Sequence, residues 1–243
     1  MLDFAVRPEF DGQDEAILEE VFGDDCYGLR ALKARNLPVR RAIDVGAHIG
    51  AFARLVHELY PDAEVVCVEA DPGNAELLRR NAPFATVIAA ACTYEDAELQ
   101  MFSTLHAGGR STGGGFVAPL GSTEYLRFEN AVEYLPSGGA LAKVTLEEIA
   151  AARGWDTVDL LKLDCEGKGP AGGEWSILHN TALLDRIGTI IGEYHGELRQ
   201  NDCYGAAKFA ELLRARFGRW HASYVVGEVG TFELSNPDRA RFS

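Results

Sequence analysis

The chain has 243 residues, is 47% hydrophobic and contains no apolar run near the roughly twenty residues a membrane span needs, so it has the length for one large buried core and no expected membrane partner. Its formal net charge is -14, and the first thirty residues carry nine Asp or Glu against Arg7 and Arg30. Such a surface repels phosphate backbones and argues against a nucleic-acid partner. Five dispersed cysteines form no CxxC pair, and "MLDFAVRPEFDGQDE" lacks the basic-then-apolar layout of a secretory signal. Reduced thiols and a cytoplasmic location are the expectation.

In chain order, "QDEAILEEVF" (13–22) places Ile17, Leu18, Val21 and Phe22 on one helical stripe, and a short helix in "GLRALKARN" stops before Pro38. These two helices are expected to form an N-terminal cap over residues 1–40, offering either a dimer seam or a cover for the sheet. The main domain is expected over 41–243. "RAIDVG" reads as a strand, 49–59 as a helix, "AEVVCVEA" as a strand, "PGNAELLRRN" as a helix with Pro72 in its first turn, and "ATVIAAAC" as a third strand. This alternation predicts an α/β fold with a doubly wound, mostly parallel sheet. Residues 106–123, rich in Gly, Ser and Thr, read as a long loop. Order resumes with helix "TLEEIAAARG", capped by Thr145 with Glu148 three residues on, then strands "VDLLKLD" and "RIGTIIGEYH". Helix 205–217 follows, and "WHASYVVGEVGTFEL" reads as two strands joined at Gly227 to Gly230.

The strand-to-helix turn "AIDVGAHIGAF" is the most informative stretch. A glycine turn lets backbone approach a ligand. A dinucleotide fingerprint needs G-x-G-x-x-G, but Gly46-Ala47-His48-Ile49-Gly50 puts histidine in a glycine slot, which disfavours a pyrophosphate and hence a nicotinamide dehydrogenase. Glu69, nineteen residues past Gly50 at the second strand tip, can accept ribose hydroxyls, and Asp44 adds a carboxylate near the turn. A ribose, a positive centre and no phosphate describe S-adenosylmethionine. The expected cofactor contacts are Asp44, Gly46, Ala47, His48, Gly50, Glu69 and Ala70.

Taken in order, "AIDVGAHIGAF", "VVCVEADPGNAELLRRN", "TLEEIA", "DLLKLDCEG", "EWSIL" and "IIGEYHG" resemble the FkbM family of S-adenosylmethionine-dependent methyltransferases over roughly residues 40–197. The resemblance implies a class I (Rossmann-like) methyltransferase fold: a seven-stranded sheet with one antiparallel strand near the C-terminus. It further implies methylation of hydroxyl groups on sugars, polyketides and other natural products, with S-adenosyl-L-homocysteine as the other product. Here "KGPAGG" (Lys168 to Gly173) intervenes between the DxEG run and Glu174, which bears on acceptor choice.

An alcohol is a poor nucleophile until its proton leaves, so a base is expected at the strand ends. These ends supply Asp164, Glu166, Glu193 and His195. His195, with its ordinary pKa near neutrality, is the candidate general base, with Asp164 and Glu193 as catalytic partners. Tyr27, Arg110, Ser111, Tyr125 and Glu166 are candidate contacts to a small-molecule acceptor. Asp164, Glu166, Glu193 and His195 could instead grip a divalent metal, a reading held below the metal-free one. N-methylation, or a non-catalytic cofactor-binding module, are the alternatives.

Overall fold

The computed structural model describes residues 4–106, 109–110, 113–122, 133–166, 173–195, 206–217, 221–224 and 229–238. Its centre is a seven-stranded sheet. Strands β1 (Arg41–Val45), β2 (Glu64–Glu69) and β3 (Thr86–Ala89) run to one side, and β10 (Val158–Leu163) and β11 (Ile187–His195) to the other. β1, β2, β3, β10 and β11 are mutually parallel; β13 (Val229–Ser235) inserts antiparallel between β11 and β12 (His221–Tyr224). The order β12-β13-β11-β10-β1-β2-β3 is the doubly wound class I methyltransferase sheet, with its single reversed strand near the C-terminus.

Local chemistry explains the helices. In α3 (Ala51–Leu59), Phe52, Leu55 and Val56 fall on one face and are buried. Helix α4 (Pro72–Asn81) starts at Asp71, whose carboxylate accepts from Gly73 N and Asn74 N at 2.8 and 3.0 Å, with Pro72 at the first helical position. Helix α5 (Leu146–Arg153) has the reciprocal box expected of Thr145 and Glu148. Helices α6 (Gly173–Asn180) and α7 (Ala206–Phe217) cover the same face as α5, where Leu146, Ile177 and Phe209 join one apolar cluster.

At the N-terminus, the expected single helix over 13–22 is α1 (Gln13–Leu18) followed by a π turn over Glu19–Gly23, and α2 spans Leu29–Ala34. Val21, Leu29 and Leu32 are buried against α3 and β1, so the apolar side of this segment lies inside the chain. Arg7 fastens it. Its guanidinium meets the wholly buried Asp14 through Nε and Nη2 at 2.9 and 2.8 Å and reaches Asn74 of α4 at 2.8 Å.

Two expectations are corrected. The third strand is not continuous to Cys92: β4 (Ala91–Cys92) leaves the sheet and pairs with β9 (Lys143–Val144). The glycine-rich stretch 106–123 is not simply a loop. It contributes β6 (Gly109–Arg110) and β7 (Phe116–Pro119) to a small antiparallel sheet with β5 (Leu99–His106) and β8 (Glu133–Ser137). Its glycines hide the strand period, but Phe116 stacks on Phe102 with ring centroids 5.1 Å apart, and Phe102, Phe116 and Ala118 form their own buried cluster. Among the described residues, no helix is long and apolar enough to cross a membrane.

Candidate active site

A cavity of about 320 Å³ opens where β1, β2, β10 and β11 end, the position at which open α/β sheets take ligands. Its size sits at the lower end of the roughly 300–1,000 Å³ of small-molecule sites. Ile17, Glu20 and Tyr27 of the N-terminal segment form one wall, and Phe116 and Val117 of the small sheet form another.

At one end of the cavity, the chain reverses after β1 through Gly46 (φ 75°), His48 (φ 50°) and Gly50 (φ 95°). Gly46 N and Ala47 N donate to Val68 O at 3.0 and 3.2 Å, pinning the turn to β2. Glu69 then accepts from His48 N at 2.8 Å and from Asp71 N at 2.9 Å. Burial resists ionisation of Glu69 more than those two N–H groups favour it, and its pKa rises to about 7. A Cβ on Gly46 would stand 1.7 Å from the Asp164 carbonyl oxygen, so only glycine permits this approach. His48 is held by burial at a pKa of about 4, against the opposing charge of Asp14, and both of its ring nitrogens lack a hydrogen bond among the described residues.

The other end is a knot of charge. Tyr27 donates its hydroxyl to Asp164 Oδ2 at 2.5 Å. Lys162, buried on β10, lies 3.5 Å from the same oxygen and 3.3 Å from Asp44 Oδ1. His195 Nδ1 is 3.2 Å from Glu174 Oε1, and its Nε2 is 3.8 Å from Asp164 Oδ1. Glu174 is fixed in turn by the Cys165 N–H at 2.7 Å. Burial disfavours charge on both central groups, but their neighbours outweigh it. Lys162, His195 and the Tyr27 hydroxyl hold Asp164 below the usual carboxylate range. The Glu174 hydrogen bond and the charges of Glu174, Glu166 and Asp164 lift His195 to about 10. Glu193 moves the other way: burial and then Asp164 raise its pKa.

Of the residues singled out by sequence, Gly46, His48, Glu69 and Ala70 line the cavity at one end, and Tyr27, Asp164, Glu166, Glu193 and His195 at the other. Asp44, Ala47 and Gly50 do not. Asp44 is wholly buried beneath the turn, facing Lys162, because its place inside β1 points it into the sheet rather than out of the strand end. Ala47 is buried in the α3 cluster, and Gly50 makes room for Leu78 of α4. Arg110 falls in β6, opposite Leu105, while Ser111 and Tyr125 lie outside the described residues. Lys162 and Glu174, which meet Asp164 and His195 from behind the cavity wall, are not among the residues singled out by sequence. The signal for the first was a lone lysine inside the apolar run "VDLLKLD"; the "KGPAGG" stretch separated the second from the DxEG run.

A family model described as a methyltransferase FkbM domain matches residues 44–217. The chain belongs to the FkbM methyltransferase family. It is accordingly an S-adenosylmethionine-dependent methyltransferase. No curated protein matches its sequence. Among solved structures similar to this FkbM protein is a methyltransferase from Geobacter sulfurreducens, 13% identical, with 96% of this chain and 92% of that one covered at a TM-score of 0.45. A putative caffeoyl-CoA O-methyltransferase from Staphylococcus aureus is 10% identical, with 91% of each chain covered at 0.45. TrmK of M. capricolum, in complex with S-adenosyl-homocysteine, is 9% identical, with 82% of this chain and 63% of that one covered at 0.42.

Proposed function

We propose that this FkbM protein transfers a methyl group to a hydroxyl of a small metabolite of sugar or natural-product type. The supporting observation is the His195 imidazole, held between Glu174 and Asp164 in the same cavity as Glu69. S-adenosylmethionine supplies an electrophilic methyl on a sulfonium; the protein has to align the acceptor and take its proton. Glu69, with lone pairs beyond those used by His48 N and Asp71 N, is the acceptor for the ribose hydroxyls. Ala70, Ala90 and Ala91 offer the adenine a small apolar wall.

His195 removes the acceptor proton, Glu174 orients its ring through Nδ1, and Asp164 stabilises the imidazolium that results. With a pKa of about 10, only about one imidazole in a thousand is neutral at pH 7 before ligands bind. His195 gives up its proton more readily with a sulfonium charge in the same cavity. The rate should therefore climb with pH across the neutral range. An acidic chain with Glu20, Glu166 and Glu193 in the cavity wall supports a small acceptor over a nucleic acid.

The test is methyl transfer from methyl-labelled cofactor to a panel of hydroxylated and amino acceptors, with NMR of the product locating the new methyl. His195→Gln should lower kcat by roughly 10²–10⁴-fold while binding of S-adenosylhomocysteine is unchanged. A methyl found on nitrogen, or full activity without the imidazole, would replace this reading with N-methylation.

A second reading is favoured by one observation: Asp164, Glu174 and His195 each offer a ligand atom, and these atoms lie within 4.8 Å of one another. Two carboxylates and an imidazole suit a divalent cation that would orient an acceptor bearing neighbouring oxygens. Activity abolished by a chelator and restored by Mg²⁺ or Mn²⁺ would select it; chelator-insensitive turnover would select the metal-free base.

A further inference from the structure

Lys162 is 3% exposed, on a strand whose other inward residues are apolar. A lysine so deep is retained only when its charge is matched. Asp44 sits directly across on β1, in register with it, and neither Asp44 oxygen has a hydrogen bond among the described residues. The 3.3 Å ion pair with Lys162 is thus the charge compensation Asp44 shows.

A purely structural pair would stop there, but the ammonium does not point mainly at Asp44. Its shortest contact, 2.6 Å, is to the Gly46 carbonyl, inside the cofactor turn. It also stands 3.5 Å from Asp164 Oδ2, the oxygen that Tyr27 contacts from the N-terminal segment. The Tyr27 ring lies over it, with its centroid 5.4 Å from Nζ. Gly46 and Asp164 also meet sterically, since no Cβ fits between them. Three segments remote in sequence therefore converge on one buried cation: the turn that seats the methyl donor, the strand end that faces the acceptor, and the wall that encloses both.

We propose that Lys162 is a positioning residue for methyl transfer, its ammonium fixing the Gly46 carbonyl and the Asp164 carboxylate at one separation, with Asp44 as its buried counter-charge. In-line displacement depends on that separation, because a misplacement of about 1 Å can cost on the order of 10²-fold in rate. The inference rests on Asp164 facing the acceptor, as in the proposed function, but not on which acceptor is used.

The experiment compares the wild type with Lys162→Met and with the double variant Asp44→Leu/Lys162→Met. The single variant strands a buried carboxylate and is expected to fold poorly. The double variant replaces the buried pair by apolar side chains, which is often tolerated. Thermal unfolding checks the fold, titration with S-adenosylhomocysteine reads the cofactor seat, and kcat is measured on whichever acceptor the wild type methylates. The expected result is a folded double variant with cofactor-product affinity within about threefold of wild type and kcat at least about 100-fold lower. A folded double variant with kcat within about threefold of wild type overturns the proposal, as does loss of S-adenosylhomocysteine binding, which would confine Lys162 to the cofactor seat. Because every rate is a ratio to wild type on the same acceptor, an error in the assigned acceptor class leaves the comparison intact.

Discussion

The two ends of the cavity are built differently. The end proposed for the cofactor is local and mostly backbone: Gly46, Ala47, His48, Glu69 and Asp71 lie within 26 residues and are joined through main-chain N–H groups. The end proposed for the acceptor is assembled from side chains at positions 27, 162, 164, 174 and 195, brought together by ion pairs and one tyrosine hydroxyl. A site made of backbone serves a ligand of constant shape. A site made of side chains can change partners without disturbing the fold.

The largest expected effect comes from joining the two ends too tightly. Gly46→Ala would place a methyl group 1.7 Å from the Asp164 carbonyl at a φ of 75°, so the β1 turn or the β10 end has to move. Destabilisation of roughly 3 kcal/mol or more is expected, with loss of cofactor binding, measurable by urea unfolding and S-adenosylhomocysteine titration. Retained binding would show that the ends are not sterically coupled.

A smaller effect separates the ends by pH. Glu69 has its folded pKa raised to about 7, so the folded state holds an extra proton between about 4.5 and 7. Its contribution to stability is full below about 4.5 and fades as pH rises through 7. Ribose hydroxyls bind better to the ionised carboxylate, so cofactor affinity should strengthen over the same rise. Glu69→Gln should cost on the order of tenfold in affinity at pH 8 and flatten that dependence, as isothermal titration at several pH values would show.

The smallest effect lies wholly at the His195 end. His195 has its folded pKa raised to about 10, so the stabilisation it brings is complete below its ordinary 6.5 and is lost as pH rises through 10. Glu174→Gln removes the carboxylate on Nδ1 and should lower the His195 pKa by roughly 1–3 units, as NMR titration of the ring would show. The stability gap to wild type should shrink between pH 6.5 and 10, while cofactor affinity stays level. A change in that affinity would mean that the two ends are not separable.

Legibility in the sequence follows the same division. "AIDVGAHIGAF" and "EVVCVE" identified the turn and the Glu69 tip because a βα turn and its neighbouring strand tip are read from spacing alone. Asp44 lies buried beneath the turn and off the cavity wall for a physical reason. Spacing puts it near the turn, but only the pleat of β1 and its register with Lys162 decide that it faces inward. The small sheet was hidden by glycines that carry no periodic signal, although aromatic packing between β5 and β7 holds it together.

The sequence by itself determined the alternation of strands and helices, the cap residues, the glycine turn after the first strand and the family, because each depends on contacts between near neighbours or on ordered motifs. The tertiary structure alone decided that Lys162 and Glu174 reach this charged cluster, that Tyr27 bonds Asp164, and that His195 lies between Glu174 and Asp164. Those properties arise from charges brought within 4 Å of one another inside a low-dielectric cavity, and no spacing along the chain encodes that distance.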